Sequence, residues 1–236
     1  MKNYVLVHGG WEGSFFWENI KDALIEKGHK AKLVDLPGSY GNEQAIDKVT
    51  LENYVTETIK VINEFDEKVI LVGHSLAGII ISDVAEKISK KIEKLIYVTA
   101  PLLKDGESLI ELMQSDKQGQ MLPRVVFSED MSYGSVDDDT WREVAFHDVK
   151  EEIILDILPK MADKQASEPF MTKAKLSEEN FGSVPKVYVR TINDRAMSVG
   201  IQDQMIKNWK VDEVRSLVSG HFPTFSVPNE LLKALL

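Results

Sequence analysis

A serine between two apolar runs is the residue of this sequence best suited to nucleophilic chemistry. The stretch VILVGHSLAGIIISDVA, residues 69–85, interrupts its apolar pattern at Ser75 and its small neighbours. A nucleophilic serine on a sharp strand-to-helix turn needs small residues two positions before and after it, because otherwise the strand and the helix collide. Gly73 and Ala77 occupy these positions. The pattern G-x-S-x-A therefore predicts a nucleophile, and the alternative is a serine that only caps a helix.

A serine hydroxyl needs a base that takes its proton and a carboxylate that orients the base. After a strand-serine-helix turn, the expected chain order is serine, acid and histidine. Of the five histidines, only His221 follows a late strand and precedes the last helix. Asp194 lies in the loop after the preceding strand, so we predict Ser75, His221 and Asp194 as the catalytic residues. The other carboxylates considered for the acid are Asp105, Asp203 and Asp212.

The oxyanion that forms during attack on a carbonyl group needs two backbone N–H donors. One is expected from Leu76, directly after the serine, at the start of its helix. The other is expected from Gly10, because the glycine-rich loop VHGGWEG lets the backbone approach a substrate closely. The predicted pocket residues are Gly9, Trp11, Trp141, His147 and Phe222.

Strands and helices alternate along most of the chain and would position these residues. Apolar strands are predicted at residues 4–7, 31–36, 69–72, 95–98, 184–189 and 214–218, with helices opening near Ser14 and Thr50 and at Leu76. Strands that are apolar throughout indicate an α/β fold with a mainly parallel sheet and helices on both faces.

The alternation stops between residues 102 and 183, where only amphipathic helical pieces and loops are predicted. We therefore expect a core of residues 1–101 and 184–236, with residues 102–183 forming a mostly helical cap at the carboxyl ends of the strands. Five of the eight methionines fall in this stretch. They predict a loose apolar pocket, although packing within the cap's own helices explains each of them equally well.

Composition narrows the possible partners. The net charge of −10 disfavours nucleic acid and anionic membranes. The absence of cysteine excludes disulfides and thiol catalysis, and no H-E-x-x-H pattern indicates a metal. No apolar stretch reaches the ~18 residues of a membrane helix, and MKNYVLVHGG lacks the features of a secretory signal. We expect a cytoplasmic monomer or homodimer that acts on a small molecule.

Several motifs together resemble one enzyme group. VLVHGGWEGSFFW, DLPG, GHSLAG, NDRAM and GHFPTFSVPNELL are similar to the small α/β-hydrolases of the methylesterase and hydroxynitrile lyase group, and most of all to its bacterial esterase branch. The resemblance implies the α/β-hydrolase fold, no cofactor, a triad of Ser75, His221 and Asp194, and oxyanion donors from Gly10 and Leu76. Ala77 departs from the glycine that is usual in this group.

Within this group, esterases and lyases differ beside two histidines. The lyases carry a threonine directly after the first-loop histidine and a lysine directly after the catalytic histidine, where this chain has Gly9 and Phe222. Without the lysine, nothing stabilises the charge of released cyanide. We therefore predict a carboxylesterase-type serine hydrolase that cleaves small carboxylic esters through an acyl-enzyme, with a lyase as the alternative.

Two readings from other classes remain open on sequence grounds. The first strand, its glycine loop and Asp35 imitate a dinucleotide-binding unit, although the loop lacks one glycine of G-x-G-x-x-G. The other reading is a binding protein of negligible turnover on a hydrolase scaffold, because a fold does not determine a rate.

Overall fold

Six parallel strands form the centre of the computed structural model, which describes residues 1–42 and 44–236. The strands in chain order are β1 (Asn3–Val7), β2 (Lys30–Val34), β3 (Val69–His74), β4 (Ile92–Val98), β5 (Val126–Phe127), β6 (Tyr133–Ser135), β7 (Gln165–Ala166), β8 (Lys186–Thr191) and β9 (Glu213–Leu217). The order across the large sheet is β2-β1-β3-β4-β8-β9, and every neighbouring pair is parallel. The predicted mainly parallel sheet is therefore confirmed.

Helices cover this sheet. The α-helices are α1 (Glu18–Glu26), α2 (Leu51–Ile62), α3 (Ala77–Ile88), α4 (Leu109–Ser115), α5 (Asp138–Thr140), α6 (Glu151–Ile157), α7 (Glu168–Met171), α8 (Val199–Asn208), α9 (Pro223–Ser226) and α10 (Pro228–Leu235). All residues of β1 and β3 are buried, so the centre of the sheet is covered on both faces. Within the described parts of the chain, no helix combines the length and the apolar character needed to cross a membrane.

Local sequence determines where the helices begin. Thr50 starts α2 through a capping box, in which its side chain accepts from the Asn53 N–H and the Asn53 side chain accepts from the Thr50 N–H. The predicted start at Ser14 is wrong for the α-helix. Residues Ser14–Trp17 form a 3-10 turn, and α1 begins only at Glu18.

Residues 102–183, here called the inserted segment, lie between β4 and β8. They contain α4 to α7 and a small antiparallel sheet in the order β5-β6-β7. Strands of two or three residues carry no readable alternation, which is why the sequence predicts helices and loops here but not these strands. The division into a core and a cap remains a prediction.

The topology brings the loops of interest to one edge of the sheet. From β1 the chain moves to β2 on one side and later to β3 on the other, so the loops after β1 and β3 meet at a switch point. Open parallel sheets bind ligands beyond the carboxyl ends of the strands at such a point. Ser75 follows β3, Asp194 follows β8 and His221 follows β9. All three therefore lie at this edge.

Candidate active site

Ser75 occupies a strained turn between β3 and α3. Its φ is +48°, in the left-handed region that residues with a side chain rarely adopt. A Cβ atom on Gly73 would lie 3.0 Å from the Ala77 carbonyl oxygen, and one on Gly78 would lie 2.2 Å from the Pro101 carbonyl oxygen. Gly73 thus lets β3 pass close to the start of α3, Gly78 lets α3 pass close to the loop after β4, and the buried methyl group of Ala77 is accommodated.

Three side chains from three strand ends form a continuous hydrogen-bonded chain. His221 Nε2 lies 3.0 Å from Ser75 Oγ, and His221 Nδ1 lies 2.7 Å from Asp194 Oδ2. Because a carboxylate only accepts, Nδ1 carries the proton and donates it, which leaves the Nε2 lone pair free to accept from the serine hydroxyl. His221 can therefore take the proton of Ser75 and later donate it to a leaving group.

The Asp194 carboxylate is buried and accepts hydrogen bonds on both oxygens. Besides His221, its donors are Thr99 Oγ1 at 2.6 Å and Thr191 Oγ1 at 3.1 Å on Oδ2, and the backbone N–H groups of Ala196 at 2.8 Å and Met197 at 3.0 Å on Oδ1. Burial raises the pKa of Asp194, but the charge and hydrogen bond of His221 and these donors outweigh burial and lower the pKa below its usual value. The carboxylate therefore stays ionised beside the imidazole.

The surroundings of His221 stabilise its protonated form more than water stabilises that of a free imidazole. Burial lowers the pKa of the imidazole, but the charge and hydrogen bond of Asp194, followed by the charges of Glu12 and Asp148, outweigh burial and leave the pKa above its usual value. An imidazole with a raised pKa is a stronger base towards a serine hydroxyl.

Gly10 and Leu76, the predicted oxyanion donors, line the same cavity as Ser75. Leu76 has helical backbone angles and directly precedes α3. Among residues 1–42 and 44–236, neither backbone N–H donates a hydrogen bond to another protein group. Both donors are therefore free to bind an oxyanion, and this role remains a prediction.

The inserted segment holds the loop that contains Gly10. The Trp11 N–H donates to Gln165 Oε1 at 3.0 Å, and the Trp11 carbonyl oxygen accepts from the Ala162 N–H at 2.7 Å. These bonds hold Trp11 at φ +59°, again in the left-handed region. Gln165 Nε2 in turn donates to the Tyr54 hydroxyl at 2.9 Å, which anchors the amide. Gln165 was not predicted as a site residue.

Glu12 and His74 form a buried pair beneath the loop after β1, and neither was predicted as a site residue. The Glu12 carboxylate accepts from the Gly9 N–H at 2.7 Å and lies 3.0 Å from His74 Nδ1. His74 Nε2 lies 2.8 Å from the backbone carbonyl oxygen of His221. Glu12 and His74 thus connect the first loop with the loop of the base. A charged residue inside a glycine-rich loop was the only sequence signal for this contact.

The cavity above Ser75 is mainly apolar. Of the predicted pocket residues, Trp11, Trp141 and Phe222 line it. Its other apolar lining residues include Leu109, Leu112, Met113, Met121, Leu122, Phe170, Met197 and Ile201. No lysine or arginine is among the lining residues described, and the acidic ones are Glu12 and Asp116.

Gly9 and His147 are not among the residues that line this cavity. Gly9 lies below it, where an added Cβ atom would come within 2.9 Å of the Ser75 Cβ. His147 instead faces the loop of the acid, with its Nε2 3.0 Å from the Asn193 carbonyl oxygen. The sequence indicates that both residues lie in or near the catalytic loops. It does not show whether they face the cavity.

Comparisons with known proteins identify the family and the fold of this chain. Residues 4–234 match the family model described as "Alpha/beta hydrolase family". The chain is similar to methylesterase 9 of Arabidopsis thaliana, with 30% identity over 253 residues that cover 100% of this chain and 97% of the relative. It is 27% identical to polyneuridine aldehyde esterase of Rauvolfia serpentina over 249 residues, which cover 100% and 94%. The crystal structure of a pyrethroid hydrolase from Sphingobium faniae JZ-2 superposes with a TM-score of 0.88 at 24% identity, covering 99% and 95%.

Proposed function

Because the chain belongs to the alpha/beta hydrolase family as an esterase-type enzyme, we propose that it is a serine hydrolase that cleaves small carboxylic esters through an acyl-enzyme. The family and fold predicted from sequence are confirmed, while membership of a bacterial esterase branch remains a prediction. The observation that carries the proposal is the hydrogen-bonded chain from Ser75 through His221 to Asp194.

In the proposed reaction, Ser75 Oγ attacks the ester carbonyl carbon while His221 Nε2 takes the hydroxyl proton. The negative charge that develops on the carbonyl oxygen is stabilised by the N–H groups of Gly10 and Leu76. When the tetrahedral intermediate collapses, the bond to the alcohol breaks and His221 gives its proton to the departing oxygen. Water then attacks the acyl-enzyme with the same base, which releases the acid and regenerates Ser75.

The lining of the cavity supports an uncharged ester with an apolar acyl or aryl part. Its surface is built from leucine, methionine and aromatic side chains, and its two carboxylates, Glu12 and Asp116, would repel an anionic substrate. The name of one relative, methylesterase 9, adds support for methanol as the leaving group.

A carbon–carbon lyase is less well supported by the same cavity. Phe222 follows the base and is buried, with its ring stacked 6.2 Å from Trp141. No lysine or arginine among the described lining residues could stabilise a departing cyanide anion. Hydrolysis requires no such cation, because His221 protonates the leaving alcohol.

The test compares Ser75→Ala with Ser183→Ala, an exposed serine outside the site. On p-nitrophenyl acetate, Ser75→Ala should lose roughly 10⁴-fold or more in kcat, whereas Ser183→Ala should match the parent protein. A fluorophosphonate should label the peptide that contains Ser75 in the parent and not in Ser75→Ala. Near-parent activity of Ser75→Ala would refute the proposal. A labelled but slow parent protein would favour a low-turnover binding protein instead.

A panel of esters then tests the substrate class. Neutral butyrate and hexanoate esters should be cleaved faster than a monosuccinate ester of similar size, because the latter brings a negative charge to Glu12 and Asp116.

We also propose that the protein acts in the cytoplasm, in keeping with a sequence free of cysteine, and as a monomer or homodimer. Light scattering on the purified protein checks the oligomeric state.

A further inference from the structure

Three consecutive residues of the inserted segment, Phe146 to Asp148, contact both loops that carry the proposed acid and base. The ring of Phe146 meets the ring of Phe222 edge to face, with centroids 4.8 Å apart. His147 Nε2 donates to the Asn193 carbonyl oxygen at 3.0 Å. These contacts reach the residue after His221 and the residue before Asp194.

Asp148 contacts the residue that directly precedes His221. Its Oδ2 accepts a hydrogen bond from the Gly220 N–H at 2.6 Å, directly before His221. A Cβ atom at position 220 would lie 2.5 Å from His147 Cε1 and 2.6 Å from Asp148 Oδ1. Glycine is therefore required at 220 for the loop to approach the two side chains this closely.

The two neighbouring side chains differ in charge. Burial, and then the charge of Arg195, lowers the pKa of His147 below its usual value, so its ring is neutral at neutral pH. His147 therefore does not cancel the negative charge of Asp148. The other titratable groups facing His221 are Asp194, Glu12 and His74, whose ring centroid lies 4.9 Å from that of His221.

We propose that Asp148 is a positioning residue for His221, whose carboxylate fixes the loop of the base through the Gly220 N–H and so holds a negative charge against the residue that precedes the base. His147 holds the loop of Asp194 in the same way, through the Asn193 carbonyl group. This inference rests on the proposed function, in which the imidazole becomes positively charged as Ser75 is deprotonated. Support comes from the pKa of His221, which the charge of Asp148 raises.

The experiment separates the charge of Asp148 from its hydrogen bond. Asp148→Asn keeps an oxygen that accepts from Gly220 but removes the charge, and Asp148→Ala removes both. Asp139→Asn removes a charge from an exposed position of the same segment and is the matched control. The readouts are kcat and KM on p-nitrophenyl acetate, the pH profile of kcat/KM, and the His221 imidazole pKa measured by NMR.

In Asp148→Asn, the imidazole pKa and the acid limb of the pH profile should both move to lower pH. In Asp148→Ala, kcat should fall roughly 10- to 100-fold, the range for losing a hydrogen bond to a charged group, while KM changes little. Asp139→Asn should match the parent protein in all readouts. The unfolding temperature of each variant shows whether it is folded.

Two outcomes would overturn the inference. If both Asp148 variants behave like Asp139→Asn, Asp148 neither positions His221 nor stabilises its protonated imidazole. If Asp148→Ala loses activity only because its unfolding temperature has collapsed, and the imidazole pKa in Asp148→Asn stays at the parent value, the residue has a purely structural role. The NMR measurement needs no turnover. An inactive parent protein would therefore refute the proposed esterase function and still leave the effect of Asp148 on His221 measurable.

Discussion

Thr99 offers a sharp test of how the proposed acid is held. Its hydroxyl donates to Asp194 Oδ2 at 2.6 Å, the same oxygen that accepts from His221. Both Thr99 and Asp194 are buried, and Thr99 has a φ of +38°, which is rare for a β-branched residue. We predict that Thr99→Val, which replaces the hydroxyl with a methyl group of similar size, lowers the free energy of unfolding.

The magnitude follows from the type of bond. A hydrogen bond to a charged group contributes about 1.5–3 kcal/mol, so we expect a loss of about 2 kcal/mol at neutral pH. For a chain of this length, such a loss lowers the unfolding temperature by roughly 4–8 °C. Thr191→Val is the matched comparison and should cost less, because Thr191 Oγ1 donates to the same oxygen at 3.1 Å. Thr99→Ser keeps the donor and should retain most of the stability.

The pH dependence of this loss separates the hydrogen bond from packing. The pKa of Asp194 is lowered in the folded protein, although burial alone raises it. Such a carboxyl group stabilises the fold above its unfolded pKa of about 3.9, and the stabilisation disappears as the pH falls through the folded-state pKa. The gap in unfolding free energy between the parent and Thr99→Val should therefore be largest above about pH 4 and should shrink below it.

Urea unfolding followed by tryptophan fluorescence, from neutral to acidic pH, measures this gap. A gap of the same size at every pH would mean that Thr99 acts through packing or backbone strain. Equal stability of the parent and Thr99→Val at neutral pH would refute the reasoning altogether.

Two further predictions concern the base and the oxyanion loop. Because His221 must be neutral to accept a proton and its pKa is raised, kcat/KM should fall on the acid side with a midpoint above about 6.5, and a lower midpoint in the pH–rate profile would contradict this. Gln165→Ala removes the acceptor of the Trp11 N–H, so kcat should fall roughly five- to tenfold with little change in KM. Tyr54→Phe removes one of the two groups that accept from Gln165 Nε2 but keeps Gln165 Oε1 as the acceptor of the Trp11 N–H, so its kcat loss should be smaller, and an equal loss would mean that the Trp11 contact is not what matters.

Residues that follow strands could be predicted well from sequence. Ser75 and Asp194 follow the largely buried strands β3 and β8, His221 follows the edge strand β9, and parallel strands bring such positions to one edge of a sheet. Their order along the chain narrowed the choice further. The structure brings all three within hydrogen-bonding distance, while their catalytic role is the proposal that Ser75→Ala tests.

Residues that act through contacts between distant segments could not be predicted. Thr99 meets a carboxylate 95 positions away, and Gln165 meets a backbone N–H 154 positions away. Neither belongs to a periodic pattern, because a hydroxyl or an amide at a loop end fits many structures equally well. His147 illustrates the same limit: it was predicted near the cavity, but only coordinates could tell which way its ring faces.

The inserted segment contributes to the site as more than a cover. On one side Gln165 holds the backbone of Trp11 next to the predicted oxyanion donor, and on the other side Asp148 holds the backbone next to His221. A rigid movement of the segment away from the sheet would break hydrogen bonds on both sides at once. Such an opening would disturb the oxyanion loop and the base together. For a substrate that enters only through this opening, the segment would have to close again and re-form both contacts before the reaction. Substitutions at these anchoring positions should therefore change kcat, whereas substitutions among the apolar lining residues should mainly change which ester is preferred.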